Sequence, residues 1–278
     1  LISSHIDFDL IQLYNKMSIK STKTAKNEKT ATFLTVWRVH MSKEREKEIL
    51  KLLLANKKVT VSELSEKLYT SASSVRRDLA RLEKQALLKR VHGGAEILED
   101  SLSSLKIPFA MRELEQSDAK ILIAKKAIGL VSDYDVIFMD ASSSAYTLIP
   151  YLASKNHLTV ITNGVKTLAK LGEYNIRAIS TGGELLPSCS ALVGEEAYKT
   201  ISDFNANVAF FSCRGLSPKG MLTDFSESEN FVRARMIAHS QRSYLLCAGE
   251  KFNKTYFHNL CSYKDVSGII SDAPVPEF

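Results

Sequence analysis

Between residues 135 and 270, six short apolar runs recur, most of them separated from the next by a helical stretch. They are Asp135–Met139, Leu158–Thr162, Ile176–Ser180, Val208–Phe211, Ser243–Cys247 and Val266–Ile270. Runs this short, without strict polar–apolar alternation, are strands buried on both faces. Helical stretches near Ala145–Ala153, Val165–Leu171, Glu195–Ile201 and Ser228–His239 supply the crossovers that parallel neighbours need. The pattern predicts an α/β unit, a mostly parallel sheet with helices on both faces. A helix from about Asp118 to Val131 opens it, so the unit is expected to span 118–278. Residues 99–117, with Ser101, Ser103, Ser104 and Pro108 and only scattered apolar residues, read as a linker.

Ligands of such sheets bind outside the carboxyl ends of the strands. Here those ends carry Asp140-Ala141-Ser142-Ser143-Ser144, Thr162-Asn163-Gly164, Thr181-Gly182-Gly183-Glu184, Ser212-Cys213-Arg214-Gly215 and Gly249-Glu250-Lys251-Phe252. Backbone N–H groups at the helix start after Asp140, with the hydroxyls of Ser142, Ser143 and Ser144, suit a phosphate. Lys251 is placed to neutralise an anion. A serine-rich turn alone is more often an ordinary helix cap, and a Gly-Gly pair an ordinary turn. Five such loops on one edge argue for a binding site.

Residues 41–98 follow a different pattern. A helix from about Ser42 to Ala55 carries Ile49, Leu50, Leu53 and Leu54 on one face. Thr60-Val61-Ser62-Glu63 is a capping box that starts a second helix. After the turn Tyr69-Thr70-Ser71, with Ser71 as N-cap, a third helix buries Val75, Leu79 and Leu82. Its opposite side carries Ser73, Arg77, Ala80 and Lys84, flanked by Ser74, Arg76 and Arg81. Small groups permit close approach to a major groove, and guanidiniums suit guanine edges and phosphates. Ala86–Ala95 then reads as a two-stranded wing, placing Lys89, Arg90 and His92 by the DNA backbone. The competing readings are a three-helix protein-binding module with a solvated basic face, and single arginines that only pair with Asp78 or Glu83.

Charge separates the two units. Residues 41–95 hold 13 Lys and Arg against 7 Asp and Glu, while 96–278 hold 18 against 21. A basic module joined to a mildly acidic one fits a DNA reader joined to a regulatory domain. Cys189, Cys213, Cys247 and Cys261 form no patterned pair, which points to reduced thiols, no metal site and a cytoplasmic location. Neither a membrane-length apolar run nor a signal peptide is visible. Residues 1–40 lack a sustained period and read as a disordered upstream extension, with Met41 as the natural start and Met17 a weaker candidate. The closing Glu277-Phe278 matches an in-frame cloning site, so the α/β unit is expected to be truncated.

Two sets of motifs carry a family resemblance. Ser73-Ser74-Val75-Arg76-Arg77-Asp78-Leu79, Leu82-Glu83 and Arg90-Val91-His92-Gly93-Gly94-Ala95 resemble the winged helix-turn-helix of the DeoR family of bacterial repressors. The Asp140–Ser144 loop, Thr162-Asn163, Gly182-Gly183, Gly194-Glu195-Glu196-Ala197, Gly215, Lys251-Phe252 and Ile269-Ile270-Ser271-Asp272 resemble that family's sensor domain. The resemblance implies a fold shared with ribose-5-phosphate isomerase. It also implies phosphate held by Ser142, Ser143 and Ser144, with Asp140, Asn163 and Lys251 lining the pocket. Thr162, Gly182, Gly183, Gly215 and Glu227 complete the expected effector site. Ala86 stands where the family has Gly, and Ala248 where it has Asp.

The expected function is repression of a carbohydrate operon, relieved by a phosphorylated sugar, with double-stranded operator DNA and a second copy of the chain as partners and no cofactor. A sugar-phosphate isomerase is the alternative, with Asp140, Glu227 and Lys251 as acid or base. It lacks an evident paired carboxylate or Cys-His arrangement. A DNA-binding activator without a ligand is the third reading.

Overall fold

The computed structural model describes Ser42 and residues 44–97, 108–115 and 117–278. The expected upstream extension, 1–40, lies outside the described residues. The described residues fall into two compact units, which divide between Leu98 and Glu99.

In the first unit, helix α1 (44–56) leads to strand β1 (Lys58–Thr60) and helices α2 (Val61–Lys67) and α3 (Ala72–Lys84). The hairpin β2 (Lys89–Val91) and β3 (Gly94–Glu96) follows, and β3 pairs antiparallel with both β1 and β2. Ile49, Leu53, Leu64, Val75, Leu79 and Leu82 are buried together as the periodicity requires. The capping box forms: Glu63 N donates to Thr60 Oγ1 at 3.2 Å and Thr60 N to Glu63 Oε2 at 2.8 Å. Strand β1 is absent from the sequence reading. It forms because Lys57, at φ 62°, redirects the chain after α1 and turns Val59 inward. A Cβ on Gly94 would stand 2.1 Å from the Val59 carbonyl oxygen, so the wing reaches β1 only with glycine there.

The second unit opens with helices α4 (Phe109–Leu114) and α5 (Ser117–Ala127). The linker reading of 99–117 is therefore corrected at its carboxyl end. Phe109, Met111 and Arg112 of α4 are buried, and Phe109 meets Tyr146 edge-to-face at 5.3 Å. Its apolar residues are too few to show a period, which is why composition misread it. The strands β4 (Val136–Met139), β5 (Thr159–Thr162), β6 (Arg177–Ser180), β9 (Ala206–Phe211), β12 (Ser240–Leu246) and β14 (Gly268–Ile270) make one sheet. Its order is β14-β12-β9-β4-β5-β6, and every pairing is parallel.

Alternate side chains feed opposite faces. Ile137, Met139, Val160 and Phe210 pack with helices α5 and α6 (Ser143–Leu152). Phe138, Ile161 and Ala209 pack with α8 (Glu195–Ser202) and α9 (Glu227–Ala238). Helix α7 (Val165–Glu173) joins β5 to β6. The sequence reading contains neither the hairpin β7 (Glu184–Leu186) and β8 (Ala191–Val193) nor the antiparallel sheet of β10 (Gly215–Leu216), β11 (Met221–Asp224) and β13 (His258–Ser262). These strands are short and half polar, so they lack the apolar runs of the main sheet. Strand order reverses at β4: the chain moves outward through β5 and β6, then returns to place β9 on the other side of β4. That switch point leaves a crevice beyond the carboxyl ends of β4 and β9.

Candidate DNA interface and effector site

Helix α3 presents its amino end through a cluster of hydroxyls. Ser71 caps it, its Oγ accepting from Ser74 N at 3.2 Å and lying 3.0 Å from Ser73 Oγ. Arg77 Nη2 donates to Ser74 Oγ at 3.2 Å, which aims the guanidinium along the exposed face. Arg76, Arg77 and Lys84 are exposed, and among the described residues none of them forms an ion pair. Arg81 differs. It bonds Asp78 and Ser42, and its Nε lies 2.7 Å from Glu46 Oε1, so it ties α3 to α1. Asp78 is 1% exposed and also held by Arg45. In the wing, Lys89 is 3.8 Å from Glu96, Arg90 is 3.8 Å from Glu83, and His92 is exposed at the turn. Ion pairs this long and exposed contribute little.

At the crevice of the second unit, Asp140 follows β4 and is buried. Its Oδ1 accepts from Ser142 N at 3.1 Å, and its Oδ2 accepts from Ser212 N at 3.2 Å and Arg233 Nε at 3.0 Å. Ser142 caps α6, accepting from Ala145 N at 3.1 Å. Ser143 and Ser144 are buried, and Ser144 Oγ has no partner. Thr162 Oγ1 accepts from Gly164 N at 3.0 Å, which shapes the turn after β5. Asn163 Nδ2 donates to the Leu192 carbonyl at 3.0 Å, while its Oδ1 has no partner, nor does Thr167 Oγ1. The two loops touch: a Cβ on Gly164 would meet Thr167 Oγ1 at 2.6 Å and Ala141 Cα at 3.1 Å. Lys251 Nζ donates to Ser212 Oγ and the Cys213 carbonyl, each at 2.9 Å. Buried polar atoms are normally paired, and Ser144 Oγ, Asn163 Oδ1 and Thr167 Oγ1 near this capped helix start are exceptions.

Other expected residues fall elsewhere. Glu227 is 65% exposed, 3.6 Å from His258, because residues two apart on a helix face away from each other. Glu229 takes the inward place, its Oε1 3.5 Å from Arg233 Nη2. A Cβ on Gly183 would lie 2.3 Å from the Val193 carbonyl oxygen, and one on Gly215 2.4 Å from that of Lys254. Both positions serve backbone packing. Gly182, at φ 66°, has open space around it.

Four cations escape the sequence reading. Arg233 is buried and gathers Asp140, Asp224 at 2.8 Å and Glu229. Burial opposes its charge, and the three carboxylates more than offset that, so its pKa is raised. Arg112, 9% exposed, donates from Nη2 to the Cys189 carbonyl at 3.3 Å, and its Nε has no partner. Lys120, 4% exposed, donates to the carbonyls of Arg112 and Glu115. Burial, with the nearby Lys251 charge, pulls its pKa down to about 7. Arg214 forms no side-chain hydrogen bond or ion pair among the described residues, and burial and the Arg112 charge lower its pKa. One signal was readable: Lys120 shares the i, i+3, i+4, i+7 stripe of Ile123, Ala124 and Ala127.

Known proteins match both units. Residues 45–101 match the model of the DeoR-like helix-turn-helix domain, and residues 115–273 that of the DeoR C-terminal sensor domain. The chain is 33% identical to the HTH-type transcriptional regulator YulB of Bacillus subtilis, over 83% of this chain and 88% of that one. It is 32% identical to the regulator GolR of Listeria innocua, over 82% and 90%, and 27% identical to the glycerol-3-phosphate regulon repressor of Escherichia coli, over 84% and 92%. Among solved structures, ribose 5-phosphate isomerase A of Methanocaldococcus jannaschii aligns over 50% of this chain and 55% of its own, at 15% identity and a TM-score of 0.38. With both of its units matched in order, the chain belongs to the DeoR family of helix-turn-helix transcriptional regulators.

Proposed function

We propose that the protein represses a carbohydrate-metabolism operon from the cytoplasm and leaves its operator when a phosphorylated sugar binds the second unit. One observation carries the reading. The start of α6, at the switch point of a parallel sheet, is surrounded by unpartnered buried polar atoms and by cations. A helix start with free N–H groups and hydroxyls holds phosphate, and Lys251, on Ser212 beside that loop, neutralises it. The names of relatives support the sugar: a lactose phosphotransferase system repressor of Staphylococcus epidermidis and an L-fucose operon activator of Haemophilus influenzae are 30% and 31% identical. Expected contacts with the phosphate are Ser142, Ser143, Ser144, Asn163 and Lys251. Expected contacts with DNA are Ser71, Ser73, Ser74, Arg76, Arg77, Lys84, Lys89, Arg90 and His92, with Arg81 positioning α3. A single winged domain reads few bases, so a homo-oligomer on paired half-sites is expected.

The isomerase alternative has less support. Asp140 is spent on Arg233 and two backbone amides, and Glu227 faces outward. Ribose-5-phosphate offered to the purified protein is expected to stay unconverted.

Gel shifts on a promoter fragment, with Ser143→Ala beside the native chain, test the effector site. The variant keeps operator affinity within about twofold and no longer releases DNA when a sugar phosphate is added. Normal release by the variant contradicts the phosphate loop, and a sugar-phosphate panel that never shifts the melting temperature favours the ligand-free activator.

A further inference from the structure

The crevice is lined by cations that no carboxylate pairs with directly. Arg112, Lys120, Arg214 and Lys251 surround it, and among the described residues none of the four forms an ion pair. The inward carboxylates Asp140, Asp224 and Glu229 are instead collected on Arg233. Three of them rest on neutral partners: Arg112 on the Cys189 carbonyl, Lys120 on two carbonyls, Lys251 on Ser212 Oγ and a carbonyl. A phosphate monoester brings about two negative charges near neutral pH. Unpaired cations packed together oppose folding unless an anion joins them.

The cations also divide by place. Lys251 stands over the end of β9, beside Ser212 and the Asp140 loop that leads to Ser144. Arg112 comes from α4 and reaches the Cys189 turn between β7 and β8, and its buried Nε has no partner. Arg214 follows β9, and its guanidinium has no partner among the described residues. The charges of Arg112 and Arg214 repel each other, while Asp224, Glu115 and Glu229 pull on Arg214 from beyond ion-pair distance. Guanidinium forks match the paired oxygens of a carboxylate or phosphate.

We infer that the effector carries two acidic groups: a phosphate seated at Ser142–Ser144 and Lys251, and a carboxylate or second phosphate gripped by Arg112 and Arg214. This rests on the reading of the crevice as a sugar-phosphate site and narrows its ligand. Lys120 donates to the Arg112 carbonyl and feels the charges of both Lys251 and Arg112.

Matched ligand pairs test it on the full chain by calorimetry and melting shifts. Glucose 6-phosphate is set against 6-phosphogluconate, which adds a carboxylate, and fructose 6-phosphate against fructose bisphosphate, which adds a phosphate. Inorganic phosphate is the reference. In at least one pair the doubly acidic member binds about tenfold or more tighter, and which pair does so identifies the second group. Arg214→Gln removes that advantage and leaves the singly phosphorylated member within about twofold, whereas Ser143→Ala weakens both members. Equal binding within every pair, or an Arg214→Gln loss shared by both members, overturns the second subsite while leaving the phosphate reading intact. No binding of any probe, inorganic phosphate included, overturns both. Circular dichroism and melting of the Arg214→Gln apoprotein confirm that the variant is folded.

Discussion

Individual side chains decide which cations read DNA and which only build the module. Arg77 is exposed, aimed by Ser74 and without an ion pair among the described residues. Arg77→Ala is expected to weaken operator binding by about 1–3 kcal/mol if the side chain reads a base, and an unchanged gel-shift affinity would count against it. Arg81→Ala acts differently, lowering the melting temperature of the first unit by loosening Asp78 and Glu46. Lys120 offers a titration. Its folded pKa of about 7 lies below the unfolded value, so between those two values the unfolded chain holds a proton that the folded chain lacks. Through this group the fold gains stability as pH rises across that window. An anion reverses the preference by drawing the proton back onto Lys120, against Lys251 and Arg112 and with Glu115 and Glu250. Effector binding at about pH 8 is therefore expected to take up a proton, seen as a calorimetric heat that varies with buffer ionisation, and at about pH 6 to take up less. The same uptake at both values, or in Lys120→Met, would exclude this lysine as the source.

Among the elements, those governed by periodicity were legible and those governed by tertiary contacts were not. The three helices of the first unit and the six strands of the main sheet announce themselves through apolar spacing. The hairpin β7–β8, the sheet of β10, β11 and β13, and helix α4 do not, because each is short and gains its stability by packing on the larger sheet. The residue Ala86, at the exit of α3, was singled out from sequence as standing in for glycine, and it adopts φ 55°. Ala86→Gly is expected to stabilise the first unit by about 1 kcal/mol, raising its melting temperature; a lower melting temperature would show that this strain is relieved elsewhere. Arg233 ties α9 to the ends of β4 and β11. Arg233→Met strands three buried carboxylates and is expected to destabilise the second unit by about 3–5 kcal/mol, read from urea unfolding. A loss under 1 kcal/mol, on the order of an exposed pair, would mean that water reaches the cluster.

At the scale of the whole molecule, the sequence marked the edge proposed for the ligand but only part of what surrounds it. The serine loop, Asn163 and Lys251 lie where glycine and hydroxyl clusters place them. Arg112, Lys120, Arg214 and Arg233 were hidden because a cation in a sequence reads as solvated surface, and only the fold shows it turned inward. Helix face likewise separates Glu227 from Glu229, which two acidic letters two positions apart do not. The two units together make a regulator only if occupancy of one changes the affinity of the other, and that coupling is reciprocal: effector binds the DNA-free form more tightly by the factor that it weakens the operator. The most direct measurement is the anisotropy of a labelled promoter fragment titrated with the full chain across a salt series, with and without a saturating phosphorylated ligand. The account predicts an affinity that falls linearly on logarithmic axes as salt rises, and that drops about tenfold or more once the ligand is bound. Binding indifferent to salt, or an affinity unmoved by a ligand shown to occupy the crevice, would contradict it.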